Sequence, residues 1–272
     1  MVLNLLKILH RYVKFFAIKD CFYCEEEFNL IKIENVILPS NEQMEFVVMA
    51  MRNPLNSWAR SDSFTCGHED DTCSTCEARH TGQCLNGFVL GENDHDLMCR
   101  LAKAGTDHRK YLRMMPVFLN VTAPLYWWKE ADTYKVGTVA NSCSTMHKIQ
   151  AKEFVLDDFS HEHLEDYSME NLNDIIMKLN FWREIYLEGG HVPLRNGNAR
   201  VFEPKDKDAW WQLIQLLPSS YNQKRSIMLS YEVLANMYKS RVGHKLNEWR
   251  DFCKWIESLP YSELITENLR GN

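Results

Sequence analysis

Between positions 117 and 147 the chain passes from alternating apolar residues (Val117, Leu119, Val121) through Ala123-Pro124 into Leu125-Tyr126-Trp127-Trp128-Lys129-Glu130. It then reaches Asn141-Ser142-Cys143-Ser144-Thr145-Met146-His147. The alternation predicts a strand. Pro124 then fits the first turn of a helix, with Thr122 as its N-cap. Aromatics, charges and small hydroxyls stand where a scaffold helix would carry Leu and Ala, so this stretch reads as a platform for a ligand. Adjacent helical residues point about 100° apart, so at most one of Trp127 and Trp128 can face a shared ligand, and the other belongs to the core or an interface.

A chain of 272 residues, 45% hydrophobic, can bury a full core. We read a mixed α/β (α+β) fold with a central sheet and flanking helices. One domain spans 28–272, preceded by a basic amphipathic extension at 1–27 and interrupted by a Cys-rich insertion at about 65–87. The net charge of −6 argues against general nucleic-acid binding. The apolar N-terminus is broken by Lys7, His10, Arg11, Lys14 and Lys19, which excludes a membrane span there, and no cleavage site follows it. Nine cysteines, an odd number, fit a reducing compartment, so the expected location is cytoplasmic.

Residues 30–38 alternate as a strand, and 41–52 place Met44, Val47, Val48 and Met51 on one helical side. Asn93 or Asp94 can cap a helix that Gly105 ends. Leu172, Ile175, Ile176, Leu179, Trp182 and Tyr186 recur at helical spacing up to Gly189-Gly190, and 191–207 looks like loop. Ile227, Tyr231, Leu234, Tyr238 and Arg241 fall on one helical face. After Gly243, Leu246, Trp249, Cys253 and Ile256 form the inner stripe of a further helix.

Cys66, Cys73, Cys76 and Cys84, with His68 and His80 nearby, could hold a structural zinc, although their spacing does not match paired zinc knuckles and a polar loop is the alternative. His108, Arg109, Lys110 and Arg113 form a basic cluster that either holds an anion or solvates a turn. Arg241 ends an otherwise apolar stripe, which gives a partly desolvated fork of donors suited to a planar, acceptor-rich ring. The plain reading of Arg241, His244, Glu248 and Arg250 is a salt-bridged helix end. There is no G-x-G-x-x-G fingerprint, phosphate loop or G-x-S-x-G elbow.

Several windows resemble, in order, those of the flavin-dependent thymidylate synthases, the ThyX family. Trp58-Ala59-Arg60-Ser61-Asp62-Ser63-Phe64 is similar to its Ala-Arg-x-Ser-Phe segment. Ala104-Gly105 through Arg113 stands in the place of its His-rich turn, and the Ala123-Pro124 helix start leads toward its Arg-His-Arg position. Leu217-Pro218, Asn236, Arg241, His244 and Glu248 resemble its Leu-Pro segment, Asn-x4-Arg helix and following His-x3-Glu. The resemblance covers roughly residues 30 to 260.

It implies a homotetramer that binds FAD and methylates C5 of dUMP or a related pyrimidine nucleotide. Methylenetetrahydrofolate would be the carbon donor and NADPH a further co-substrate. Arg241 would be the catalytic residue. Asn236, His244, His108, Arg109, Tyr134 and Lys135 would hold the cofactor; Glu130, Lys129, Asn141, Ser144 and Arg225 would hold the substrate. Where the family has Arg-His-Arg, however, this chain has Thr133-Tyr134-Lys135. Its phosphate and ribose contacts fall on Asn141, Cys143 and Thr145, or, one residue shifted, on Asn141 and Ser144. Ile214 and Gln215 stand where another phosphate-side Arg is expected. Two lost charge-assisted contacts cost about 3 to 6 kcal/mol, with Lys129, Lys135, Lys224 and Arg225 as replacements. A non-catalytic nucleotide-binding protein on the same fold is therefore the alternative reading.

Overall fold

The computed structural model describes residues 30–66, 84–85 and 87–267. The N-terminal extension and Cys73 and Cys76 lie outside the described residues, as does the Cys84 side chain. The zinc reading thus lies largely outside them, and among the described residues no cluster of three metal-ligating side chains occurs.

The core is organised by a four-stranded antiparallel sheet. Strand β1 (Lys32–Ile37) leads into helix α1 (Asn41–Arg52), which Ser40 opens with a capping box shared with Gln43. Short strands β2 (Phe64–Thr65), β3 (Cys84–Leu85) and β4 (Phe88–Val89) form a small separate sheet before α2 (Glu92–Lys103). Strand β5 (Pro116–Pro124), helix α3 (Leu125–Ala131) and strand β6 (Val139–Ser142) follow. Beyond α4 (Asp166–Glu188), the hairpin β7 (Gly190–Pro193) and β8 (Ala199–Phe202), and α5 (Lys207–Leu216), strand β9 (Asn222–Ser230) returns to the sheet. Helices α6 (Tyr231–Arg241), α7 (Asn247–Glu257) and α8 (Glu263–Thr266) close the fold. The strand order is β1-β5-β9-β6.

Val117, Leu119, Val121 and Ala123 point inward from β5 and pack with Ile227 and Leu229 of β9 against α1, α3, α6 and α7. A satellite core of Leu172, Ile176, Leu179 and Leu213 joins α4 to α5. Gly189 ends α4 at φ +77°, and a Cβ there would stand 2.7 Å from the Phe202 carbonyl oxygen, so only glycine allows the hairpin to close.

The sequence reading needs correction at several places. Thr122 is not a cap: β5 runs through Pro124, which itself precedes α3 in extended conformation. Proline tolerates this because it needs no amide donor there. The stretch 191–207 is not loop but contains a β-hairpin. Ile227 belongs to β9 rather than to the helix, because the i, i+4 spacing from Ile227 to Tyr231 spans a strand-to-helix junction capped by Ser230. Trp127 and Trp128 are both core, 1% and 3% exposed, so neither forms a ligand platform.

Asp94 is not a cap either; α2 starts from Gly91, and Asp94 is fully buried. Its carboxylate pairs with Arg52 Nε and accepts from Ser61 Oγ and Ser63 Oγ, each at 2.7 Å. Asp62 in turn accepts from the Asn93 and Asp94 amides, 2.9 and 3.1 Å away, and leaves no room for a Cβ at Gly91. The Trp58–Phe64 window thus clamps the start of α2.

Burial pushes the Asp94 carboxyl up, but hydrogen bonds from Ser63, Ser61 and Arg52 outweigh it and hold the group below the usual carboxylate range. A depressed folded-state pKa gives stability that is present above the unfolded value near 3.9 and lost as pH falls through the folded value. Asp94→Ala should cost about 3 to 5 kcal/mol, since it strands a buried guanidinium. In urea titrations across acidic pH, Asp94→Asn should show a shallower loss of stability than the parent chain; an unchanged acid limb would contradict this account.

Candidate functional site

Helix α6 carries two polar clusters, one at each end. At its N-terminal half, Glu232 is buried and receives Arg109 Nε at 3.3 Å and Arg113 Nε at 2.9 Å, while Arg109 Nη2 donates to Asn236 Oδ1 at 2.9 Å. Glu232 and Asn236, four apart, share one helical face. Two guanidinium groups against one carboxylate leave a surplus positive charge on an accessible surface. The sequence-derived residues Arg109 and Asn236 therefore meet, whereas His108 is exposed, its backbone N–H donating to the Gly105 carbonyl at 3.1 Å.

The second cluster lies at the helix end. Arg241 Nη1 donates to Glu130 Oε2 at 2.5 Å and Nε to the Tyr134 hydroxyl at 3.0 Å. Its guanidinium carbon lies 4.9 Å from the Trp249 ring centroid and 5.7 Å from that of Tyr134. Trp249 Nε1 donates to the same Glu130 oxygen at 3.1 Å, and His244 Nε2 stands 3.3 Å from it. Leu246 N–H donates to His244 Nδ1 at 3.2 Å, so in the neutral ring the proton sits on Nε2, facing the carboxylate. The Arg241 side chain is 18% exposed and Glu130 34%, which places both at the rim of the core rather than in bulk water.

The sequence-derived candidates Arg241, Tyr134, His244 and Glu130 thus come together in one place. The plain helix-end reading is corrected in its partners: Arg241 pairs with Glu130, not Glu248. Glu248 is buried and accepts from the Tyr126 hydroxyl, while Arg250 Nε donates to the His244 carbonyl at 3.0 Å. Burial, followed by the Glu248 bond, pushes the Tyr126 phenol above its ordinary range.

The remaining candidates do not converge on Arg241. Lys129 and Lys135 are exposed. Arg225 lies 4.3 Å over Trp128 and is held by Asp132 at 2.7 Å and Gln223 at 2.9 Å. Asn141 pairs with Ser226 across β6 and β9, one position from Arg225. Ser144 Oγ accepts from the Met146 and His147 amides, so it shapes its own turn. Sequence reasoning placed Trp249 only in a core stripe and missed Glu232 altogether. The Glu232-x3-Asn236 spacing was the available signal for the latter.

Two solved structures of thymidylate synthase ThyX from Helicobacter pylori, both holding FAD and dUMP, superpose on this chain. One gives a TM-score of 0.52 at 16% identity, covering 88% of this chain and 98% of the other; the second gives 0.54 at 14%, covering 88% and 99%. The fold is that of a ThyX protein. No protein-family profile matches the sequence, and no curated protein matches it. At such identity the ThyX-like fold is shared, and the chemistry must be argued from this chain's own side chains.

Nitrogen NMR should find neutral His244 as the Nε2-protonated tautomer. The Nδ1-protonated form would contradict the Leu246 and Glu130 contacts.

Proposed function

We propose that this chain binds a pyrimidine nucleotide with its ring at Arg241 and, with reduced FAD, transfers a one-carbon unit to ring C5. The observation that carries the reading is the Arg241 guanidinium, held partly desolvated over Trp249 and Tyr134 at the end of α6, on a fold whose solved neighbours hold FAD and dUMP. The donor set at the other half of the helix fits a cofactor bearing phosphates and amide-like edges. Arg109, Arg113 and Asn236 would hold it, their surplus positive charge being suited to a diphosphate. FAD, when bound, supplies the redox equivalents of the reaction. Methylenetetrahydrofolate is the proposed carbon donor and NADPH the proposed reductant, in a homotetramer located in the cytoplasm.

The protein's own contribution is binding and electrostatics. Arg241 donates to a ring carbonyl and stabilises negative charge as it develops on the pyrimidine. Tyr134 and Trp249 exclude water from one side of the guanidinium, which strengthens that interaction. Glu130 fixes its orientation. At the phosphate end, Lys129 and Lys135 are exposed point charges rather than forks, so nucleotide affinity depends more on the ring than on the phosphate.

A second reading, a nucleotide-binding protein without catalysis, is favoured by one observation: the Glu130 carboxylate already neutralises Arg241. Absorption spectra and thermal shift separate the two. The catalytic reading expects a flavin spectrum from the purified protein or after adding FAD, and stabilisation by dUMP. Arg241→Ala should keep the flavin and lower methyl transfer on the order of a hundredfold or more. Protein that takes up no FAD yet is stabilised by dUMP would replace the catalytic reading with the binding one.

A further inference from the structure

Trp58 is half exposed, at 50%, and lines a cavity of about 220 Å³ beside the outer side of α1. Its indole Nε1 donates to Asn53 Oδ1 at 2.8 Å, so the ring is held in place rather than left to swing over the surface. Met49, 47% exposed, and the buried Val48 and Phe88 complete an apolar lining. Glu45, Arg52, Ser61 and Ser63 supply the polar atoms. None of these residues belongs to either cluster on α6.

Arg52 is the unusual member of this lining. Its side chain is 4% exposed; Nε pairs with Asp94, and Nη1 donates to the Ser57 carbonyl and hydroxyl oxygens, each at 3.2 Å. Nη2 donates to no described residue, yet it is not among the sealed polar atoms that lack a partner, so it opens on the space that Arg52 lines. A donor so deeply placed and left open is suited to an acceptor brought by a ligand. Asp94 already balances the Arg52 charge, and Glu45 adds a negative one: its Oε1 takes the Thr65 hydroxyl, and its Oε2 accepts from no described residue. An anion is therefore disfavoured, whereas a neutral molecule with a carbonyl oxygen for Arg52 and an N–H for Glu45 fits. Since about 150 Å³ suffices for benzene, the cavity holds one ring with a small substituent and is too small for a nucleotide. We propose that this cavity is a binding site for a neutral one-ring aromatic carboxamide, with the ring against Trp58 and Met49, the carbonyl on Arg52 and the amide N–H on Glu45. The site is separate from the pyrimidine and cofactor readings above and stands without them.

The test is NMR titration of the full chain, with FAD and dUMP in excess, against benzamide and against benzoate, which has the same ring and carries a charge. Benzamide should bind saturably and about tenfold or more tightly than benzoate. Trp58→Ala, at an exposed position, should weaken benzamide about tenfold, and Glu45→Gln should bring the two affinities together. The comparison of the two probes uses the unaltered protein and so does not depend on a variant folding. Benzoate binding as tightly as benzamide overturns the assignment of a neutral ligand. Absence of saturable benzamide binding, or binding that Trp58→Ala leaves unchanged, overturns the site itself.

Discussion

The nine-residue antiparallel pairing of β5 with β9, from Pro116 opposite Ser230 to Pro124 opposite Asn222, sets the position of everything at the candidate site. Because the strands run in opposite directions, α3 leaves the sheet at one end and α6 at the other. The paired strands span about 27 Å. Helix α6 advances about 15 Å to Arg241 and α3 about 8 Å to Glu130. The remainder is within reach of two long side chains. A shift of two residues in that register would keep the apolar face inward yet move the two helix starts by about 7 Å relative to one another, enough to separate the carboxylate from the guanidinium.

This geometry gives α6 two roles. Its start is fixed by the Ser230 cap, and its first turn carries Glu232, buried between Arg109 and Arg113. Its last turn carries Arg241, whose charge also suits a helix C-terminus. The apolar residues between them, Leu234 and Tyr238 included, belong to the main core. The helix is thus a rigid spacer that keeps a cationic surface and a partly desolvated guanidinium at a set separation, a requirement for any protein that must hold two planar molecules near one another.

Elements whose stabilising contacts are local were legible in the sequence. Helix α1 matches its expected bounds because its capping box and apolar stripe lie within thirteen residues. The 117–121 alternation marks β5, and Gly189 marks the end of α4. Strand β9 was hidden because only part of it alternates, and Ile227 happens to lie four residues from Tyr231. At the site, Arg241 stood out as a charge ending an apolar stripe. Its partner Glu130 is 111 residues away, and no spacing rule links them. The same holds for Asp94, which looked like a helix cap and is the fully buried acceptor for Arg52, 42 residues distant. The tryptophan pair misled because exposure cannot be read from composition: both indoles were needed to fill the space between α3, β9 and α7.

That filling has an optical consequence. Trp127 sits 4.8 Å from Trp128 and 4.7 Å from Trp249, centroid to centroid, at interplanar angles of 78° and 37°. Transition dipoles this close and this inclined couple, so the three indoles together give the chain a chiral near-ultraviolet signature that isolated tryptophans lack. Trp249 is also the ring beneath Arg241, and any molecule settling on the guanidinium perturbs one member of the coupled set. The protein therefore carries its own chromophore directly against the Arg241 guanidinium, with no label required.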